Sequence, residues 1–215
     1  MNYNISGMRK IAIIDYGVGN LYSLQKALKK YCDAVLTEEA DEILSADAIV
    51  LPGDGAFHAG MKGLEVRGLT RPLLQKIASG SPVLGICLGA QILLSKGFEY
   101  GEWDGLNIIT GKVVRFPKGI MAKIPHINWS PIVVPPGVSW EDTILKSVPQ
   151  GSQAYFVHSF IIEPDDPAAV LAFTEYGGHE FCSVIKSGNV YGCQFHPEKS
   201  GEVGLSIIKN FVDLI

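Results

Sequence analysis

One cysteine of the sequence stands in a setting that suits a nucleophile. Cys87 lies in Gly85-Ile86-Cys87-Leu88-Gly89, where an apolar run gives way to a helical pattern and small residues stand on both sides of the thiol. A tight strand-to-helix turn of this kind exposes the side chain, and the amides that begin the helix favour the thiolate. The N–H of Leu88 is then placed to receive an oxyanion. In an apolar strand a cysteine is otherwise a small core residue, which is our interpretation of the cysteines at 32, 182 and 193.

A thiol nucleophile needs a base, and His196-Pro197-Glu198 offers one at the end of a later apolar run. Residues two apart in an extended segment project to the same side. Glu198 is therefore able to hold one imidazole nitrogen of His196 while the other nitrogen faces the thiol. Taken alone, this tripeptide is more often a surface turn. Together with Cys87 it predicts a Cys-His-Glu triad.

The first half of the chain must position these groups, and it alternates apolar runs with helical patterns. We predict strands at 11–14, 34–36, 48–51 and 82–86, and helices around 21–28, 64–77 and 91–95. Strands that are apolar throughout and separated by helices indicate a parallel sheet covered on both faces. The predicted fold class is α/β with a doubly wound sheet.

From about residue 106 the pattern changes to strands bounded by turn residues. We predict strands at 106–109, 112–116, 154–162, 169–176, 181–186 and 190–195, with hairpin turns at 177–179 and 187–189. A helix is predicted over 203–215, and 131–149 is interpreted as a surface excursion. We expect one domain over residues 8–215, preceded by residues 1–7 as an N-terminal extension or a short disordered arm.

The composition excludes several classes of partner. The formal charge of −4 and the lack of a Lys/Arg run argue against nucleic acid and anionic lipid surfaces. No apolar stretch approaches the roughly 20 residues that span a bilayer, and the N-terminus lacks a signal pattern, so we expect a cytoplasmic protein. The cysteines show no metal-like pairing, and His58, His126 and His179 share no ligand spacing. We predict neither a metal nor a cofactor.

Two motifs together resemble the class I glutamine amidotransferases, whose signatures are G-x-C-x-G-x-Q and a late H-P-E. Residues 85–91 and 196–198 match both signatures. Residues 15–21, 125–129 and 155–159 narrow the resemblance to the glutaminase subunits of imidazole glycerol phosphate synthase. The resemblance covers the chain from Arg9 onward. It implies a three-layer fold whose central sheet is mixed and mostly parallel, flanked by helices, with antiparallel strands in the C-terminal half.

The resemblance implies a role for each catalytic residue. Cys87 attacks the carboxamide of glutamine, His196 passes the proton to the departing ammonia, and Glu198 orients and stabilises the imidazolium. Amides of Leu88 and of the loop formed by Gly53, Asp54 and Gly55 hold the oxyanion. The family more often has an apolar residue at the position of Asp54, so we expect that side chain to face away. The family's loop needs a peptide rotation before its amide serves, which the glycines permit.

The resemblance also implies binding residues. Gln91 and Glu99 would hold the amino-acid end of glutamine, and the backbone of Ser159 and Phe160 its carboxylate. The predicted partner contacts are Gly17, Asn20, His126, Trp129, Tyr155 and His158. On the residues alone, the segment from His126 to Trp129 is a surface loop packed on itself, and Gly17-Val18-Gly19 is a tight turn because the third glycine of a dinucleotide loop is absent.

The function implied is a glutaminase that passes ammonia to a (β/α)8-barrel cyclase subunit, as a heterodimer, in histidine biosynthesis. Because free ammonia would diffuse away, we expect activity to be low alone and raised by the partner. One rival is a glutaminase subunit that serves another acceptor. Another is a non-catalytic interaction subunit, against which the intact Cys87, His196 and Glu198 argue.

Overall fold

The computed structural model describes residues 8–19 and 21–215. The predicted extension at residues 1–7 and the predicted partner contact Asn20 lie outside the described residues. The helices are α1 (Leu21–Leu28), α2 (Ala40–Ser45), α3 (Phe57–Val66), α4 (Thr70–Ala78), α5 (Leu88–Ile92) and α6 (Gly201–Asp213). The strands are β1 (Lys10–Ile14), β2 (Asp33–Thr37), β3 (Ala48–Leu51), β4 (Val83–Ile86), β5 (Leu94–Gly97), β6 (Trp103–Asp104), β7 (Ile109–Arg115), β8 (His126–Pro131), β9 (Gln153–His158), β10 (Phe160–Pro164), β11 (Val170–Tyr176), β12 (His179–Ser187) and β13 (Val190–Cys193).

A single mixed sheet organises the chain, in the order β2-β1-β3-β4-β13-β12-β10-β7-β5-β6, with β11 paired to β12. The five strands from β2 to β13 are parallel to one another. Beyond β13 the pairing is antiparallel except between β5 and β7. The predicted α/β class and the mixed sheet with antiparallel strands in the second half are confirmed.

Both faces of the parallel strands are covered. Along β1, Ile11 and Ile13 belong to one buried hydrophobic cluster, while Ala12 and Ile14 belong to a second cluster. Side chains alternate across a strand, so the two clusters lie on opposite faces. Buried residues of α1 and α6 join the first cluster, and those of α3, α4 and α5 join the second. The result is a helix–sheet–helix arrangement that explains why β3, β4 and the buried residues 11–14 of β1 are apolar.

Several predicted elements differ from the structure. The predicted helix at 91–95 is wrong at its end, because α5 stops at Ile92 and β5 begins at Leu94. The region 106–109 is not a strand of its own; β7 begins at Ile109. The predicted helix over 64–77 is two helices, and the predicted strand over 154–162 is the two strands β9 and β10. The predicted hairpin turns are confirmed, since Tyr176 pairs with His179 and Ser187 with Val190.

The predicted surface loop at His126 is wrong. Residues His126–Pro131 form β8, which pairs with β9 as a separate antiparallel ribbon. His126 is fully buried and stacks on Phe156 and Tyr176. The segment is therefore a strand paired with β9, and its first residue packs against aromatic side chains that lie far from it in the sequence.

No helix in the described part of the chain is long and apolar enough to cross a membrane.

Candidate active site

Cys87 stands at the junction of β4 and α5. Its backbone has φ 52° and ψ −107°, an unusual conformation for a residue with a side chain. Both of its backbone groups are bonded: the N–H donates to the carbonyl of Cys193 at 2.8 Å, and the carbonyl accepts from the N–H of Gln91 at 3.1 Å. A Cβ at Gly89 would lie 1.7 Å from the carbonyl oxygen of Leu51, so only glycine permits this approach of α5 to β3. The two hydrogen bonds and the close packing of Gly89 thus fix the backbone of the turn.

His196 reaches the thiol because β13 lies parallel to β4, with Cys193 opposite Ile86. The carboxyl ends of the two strands therefore meet at one edge of the sheet. His196 Nδ1 and Glu198 Oε1 are 2.9 Å apart, and both side chains are buried. The other carboxylate oxygen of Glu198 is buried without a hydrogen-bond partner among the described residues.

The charge on His196 depends on these neighbours. Burial would lower the pKa of its imidazole, but hydrogen bonds to Cys87 and to Glu198 raise it to about 10. The carboxylate of Glu198 therefore favours the imidazolium form of His196. The three side chains form a thiol–imidazole–carboxylate row, and Cys87 stands at the end that lines a cavity.

One predicted oxyanion donor, the N–H of Leu88, is not free in this conformation. The N–H of Leu88 donates to the carbonyl oxygen of Gly53 at 3.3 Å. Gly53 and Gly55 have φ values of 151° and 115°, which only glycine adopts readily. Asp54 is exposed and belongs to the residues that line the cavity beside Cys87, and the direction of its side chain stays a prediction. The Leu88 N–H, which would receive an oxyanion, thus donates to the Gly53 carbonyl oxygen instead. The loop must move before this N–H becomes available.

A cavity of about 350 Å³ opens beside the thiol. The structure brings all four predicted glutamine-binding residues to its wall, with Cys87 and the loop: Gln91, Glu99, Ser159 and Phe160. Glu99 Oε2 accepts a hydrogen bond from the N–H of Phe57, the first residue of α3, at 2.8 Å. Gln91 Nε2 donates to the carbonyl of Phe160 at 3.2 Å. The cavity combines a carboxylate, an amide and backbone groups around a thiol, which suits a small zwitterion that carries a carboxamide.

Gln194 also belongs to this site, although the sequence did not single it out. Its side chain is fully buried. Its Oε1 accepts from Gln91 Nε2 at 3.2 Å, and its Nε2 lies 3.9 Å from Cys87 Sγ. The available signal was a polar amide within the apolar run that leads to His196. Such a residue needs partners inside the protein, because a buried polar group without a hydrogen bond is costly.

The predicted partner contacts divide into two groups. Gly17 is exposed, Trp129 is 47% exposed, and Tyr155 lies opposite Trp129 on the β8–β9 ribbon. The prediction of a surface contact is wrong for the side chains of His126 and His158, because both are buried. Nδ1 of His126 lies 3.0 Å from Nε2 of His158. Burial lowers the pKa of His126 to about 4 and that of His158 to about 3. Both rings are therefore neutral parts of the wall behind the cavity.

Several known proteins have sequences similar to this chain. Residues 12–214 match the family described as glutamine amidotransferase class-I. The chain is 50% identical over 213 residues to the imidazole glycerol phosphate synthase subunit HisH 1 of Legionella pneumophila (strain Lens), covering 96% of this chain and 100% of that protein. It is 45% identical to the HisH subunit of Geobacter sulfurreducens with the same coverage.

Solved structures show the same fold at low sequence identity. A glutamine amidotransferase superposes with a TM-score of 0.72 at 19% identity, covering 94% of this chain and 97% of that chain. The PurLQS structure from Thermotoga maritima gives a TM-score of 0.70 at 18% identity, covering 96% and 98%. The chain belongs to the class-I glutamine amidotransferase family and, within it, to the HisH subunits of imidazole glycerol phosphate synthase.

Proposed function

We propose that this chain hydrolyses glutamine to glutamate and ammonia with Cys87, His196 and Glu198, and that it supplies the ammonia to the cyclase subunit of an imidazole glycerol phosphate synthase. One observation carries the proposal. The buried His196–Glu198 pair, 2.9 Å apart, stands beside a thiol that opens on a cavity of about 350 Å³. The HisH relatives, among them one that is 50% identical, support the choice of acceptor.

The proposed reaction uses the three side chains in turn. The Cys87 thiolate attacks the carboxamide carbon of glutamine, and the oxygen takes up the negative charge. The imidazolium of His196 gives its proton to the leaving nitrogen, the C–N bond breaks, and ammonia departs from a thioester. The neutral imidazole then takes a proton from water, whose oxygen attacks the thioester carbon and releases glutamate. Throughout, Glu198 holds Nδ1 and stabilises the charged ring.

The acceptor would lie against the predicted contact residues that reach the surface. We propose a heterodimer with a (β/α)8-barrel cyclase, which uses the ammonia to form imidazole glycerol phosphate and an aminoimidazole carboxamide ribotide in histidine biosynthesis. Trp129, Tyr155 and Gly17 are the proposed contacts. Trp129 supports this role because it is a large aromatic side chain that is nearly half exposed.

The proposed function includes a low activity of the isolated subunit. The Leu88 amide is bonded to the Gly53 carbonyl, so the transition state would lack this oxyanion donor until the loop moves. Loss of one such donor costs about 10²- to 10³-fold in rate. A partner that favours the rotated loop would restore that factor.

The test measures ammonia release from glutamine by the wild type, Cys87→Ala and Cys32→Ala, each with and without the cyclase subunit. Cys87→Ala should lose about 10⁴-fold or more, because the nucleophile is gone. Cys32→Ala removes a different buried thiol and should keep the wild-type rate. Retained release by Cys87→Ala would contradict the mechanism.

Two further outcomes separate the rival functions. If the wild type releases ammonia but no imidazole glycerol phosphate forms with the cyclase, the acceptor is another one. If the wild type with the cyclase hydrolyses no glutamine, the chain is a non-catalytic interaction subunit.

A further inference from the structure

Tyr16 is a buried tyrosine whose hydroxyl group contacts the oxyanion loop, Pro52–Gly55. Its side chain is 1% exposed, and its Oη donates a hydrogen bond to the carbonyl oxygen of Pro52. A Cβ at Gly53 would lie 2.5 Å from that hydroxyl oxygen. The next carbonyl along the loop, that of Gly53, accepts from the N–H of Leu88. Two successive carbonyls of the loop are therefore held, one by Tyr16 and one by the oxyanion amide itself.

The ring of Tyr16 is fixed from its other side by α3. A Cβ at Gly60 would lie 3.5 Å from Cε2 of Tyr16, and a Cβ at Gly63 would lie 2.2 Å from its carbonyl oxygen. Two glycines one helical turn apart thus allow α3 to pass close to this residue. With so little room to move, the hydroxyl group holds a fixed position from which to bind the loop.

Tyr16 also belongs to a turn that reaches the surface, Asp15–Gly19, which follows β1. Asp15 Oδ1 accepts from the N–H of Gly17 at 3.0 Å, and Gly17 and Gly19 are exposed. A Cβ at Gly19 would lie 3.1 Å from Cα of Gly53. The turn therefore touches the oxyanion loop at two points, through the Tyr16 hydroxyl and through the Gly19 backbone, while its opposite side faces solvent.

From these contacts we infer that Tyr16 is a positioning residue for the oxyanion loop. It holds the loop in the conformation in which the Gly53 carbonyl oxygen accepts a hydrogen bond from the Leu88 N–H. The inference rests on the proposed glutaminase function and assigns a regulatory contact to the same site. Removing the hydroxyl group leaves the Pro52 carbonyl without its hydrogen bond to Tyr16. Rotation of the following peptide then costs less free energy.

The hydroxyl group is a dependable donor. Burial raises the pKa of Tyr16, and the negative charges of Cys87 and Asp54 raise it further. The group stays protonated at any pH at which the enzyme works, so this restraint on the loop does not weaken as the pH changes.

The test is Tyr16→Phe, which removes one oxygen atom and keeps the packing of the ring on α3. Without the cyclase subunit, kcat for glutamine hydrolysis should rise about two- to tenfold, the range that corresponds to one hydrogen bond. KM should stay within about twofold, because the hydroxyl group does not line the glutamine cavity. With the cyclase and its ligand bound, the rate should equal that of the wild type, so the activation ratio falls.

Tyr176→Phe is the matched control. The Tyr176 hydroxyl group also donates a hydrogen bond to a backbone carbonyl oxygen, that of Lys123, at 2.8 Å. This hydrogen bond does not involve the oxyanion loop. The variant should leave both the partner-free rate and the activation ratio unchanged. Alkylation of Cys87 by iodoacetamide, which needs no oxyanion donor, should proceed at the same rate in all three proteins.

The outcomes separate this inference from the proposed function. If the wild type with cyclase hydrolyses glutamine but Tyr16→Phe leaves the partner-free kcat unchanged or lowers it, the inference is wrong and the function stands. A faster alkylation of Cys87 in Tyr16→Phe would show general loosening of the site and would also overturn it. If no protein hydrolyses glutamine, the proposed function itself fails.

Discussion

The nucleophile turn and the oxyanion loop follow neighbouring parallel strands, β4 and β3, yet they are built in opposite ways. At the turn, Cys87 has both backbone groups hydrogen-bonded, and Gly89 has no room for a Cβ. In the loop, Asp54 and Gly55 are exposed, and a Cβ at Gly55 would have no atom within 4 Å. One half of the catalytic site is therefore rigid, whereas Asp54 and Gly55 in the other half have room to change conformation.

This difference places control of the reaction in the loop. Hydrolysis needs a charged nucleophile and a donor for the oxyanion at the same time. The thiol, imidazole and carboxylate are already aligned, whereas the Leu88 amide is bonded to Gly53. A partner can then switch the enzyme by moving a few loop residues without disturbing the triad.

The same substitution in the two regions should have very different effects. Gly89→Ala should destabilise the protein by more than about 3 kcal/mol or prevent folding, because its Cβ would lie 1.7 Å from the Leu51 carbonyl oxygen. Gly55→Ala should lower the melting temperature by at most about 4 °C, since the loop absorbs the backbone strain. Thermal unfolding of both variants measures the contrast. A Gly89→Ala protein as stable as Gly55→Ala would show that the turn is not rigid.

Removing the charge at the end of the triad should slow catalysis and leave the fold intact. Glu198→Gln should lower kcat/KM about 10²- to 10⁴-fold, because the imidazolium loses the carboxylate 2.9 Å from Nδ1. The pKa of His196, about 10 in the native protein, should fall, which an NMR titration of its ring measures. Glu202→Gln, an exposed change on α6, is the control for charge alone. An unchanged His196 pKa in Glu198→Gln would show that Glu198 does not raise that pKa.

The sequence predicts the rigid half well for a physical reason. Strand residues buried on both faces must be apolar, and a close strand-to-helix turn must carry small residues, so residues 11–14 of β1, β3, β4 and the Cys87 turn leave a local signature. His196 and Glu198 are two residues apart, and their hydrogen bond is local as well. Local patterns are what a single sequence displays.

The parts that the sequence does not predict depend on distant contacts. His126 looks like a polar loop residue until Phe156 and Tyr176 stack on its ring. Gln194 gains its meaning only from Gln91 and the thiol, which lie about a hundred residues earlier in the chain. The conformation of the loop is likewise set by Tyr16, and no pattern within residues 52–55 reports it.

Acid should loosen the wall behind the cavity before it affects the triad. Burial lowers the pKa of His126 to about 4 and of His158 to about 3, the latter lowered further by the charges of His126 and His196 and opposed by its bond to the Phe160 carbonyl. Neutral rings in the fold contribute stability that is present above the unfolded pKa near 6.5 and is lost as pH falls.

At pH 5 the free energy of unfolding should be lower than at pH 7 by about 2 kcal/mol for each ring. This loss should appear as a lower melting temperature at pH 5 than at pH 7. His126→Phe retains an aromatic ring for the stack on Phe156 and Tyr176 and removes one titrating group. The difference in melting temperature between pH 7 and pH 5 should therefore shrink by roughly half in this variant. An equal difference in both proteins would mean that acid acts elsewhere.

The smallest effect is expected at the one loop residue that carries a charge. Asp54 is exposed, and no hydrogen bond of its side chain is found in the described part of the chain. Asp54→Ala should change kcat/KM by less than about threefold, because an exposed charge is screened within about 8 Å at physiological ionic strength. Any residual effect should disappear in 1 M salt, whereas a backbone effect should persist. A salt-independent loss of more than tenfold would place this side chain, and not only its N–H, in the function of the loop, and the loop would then be less free than its exposure indicates.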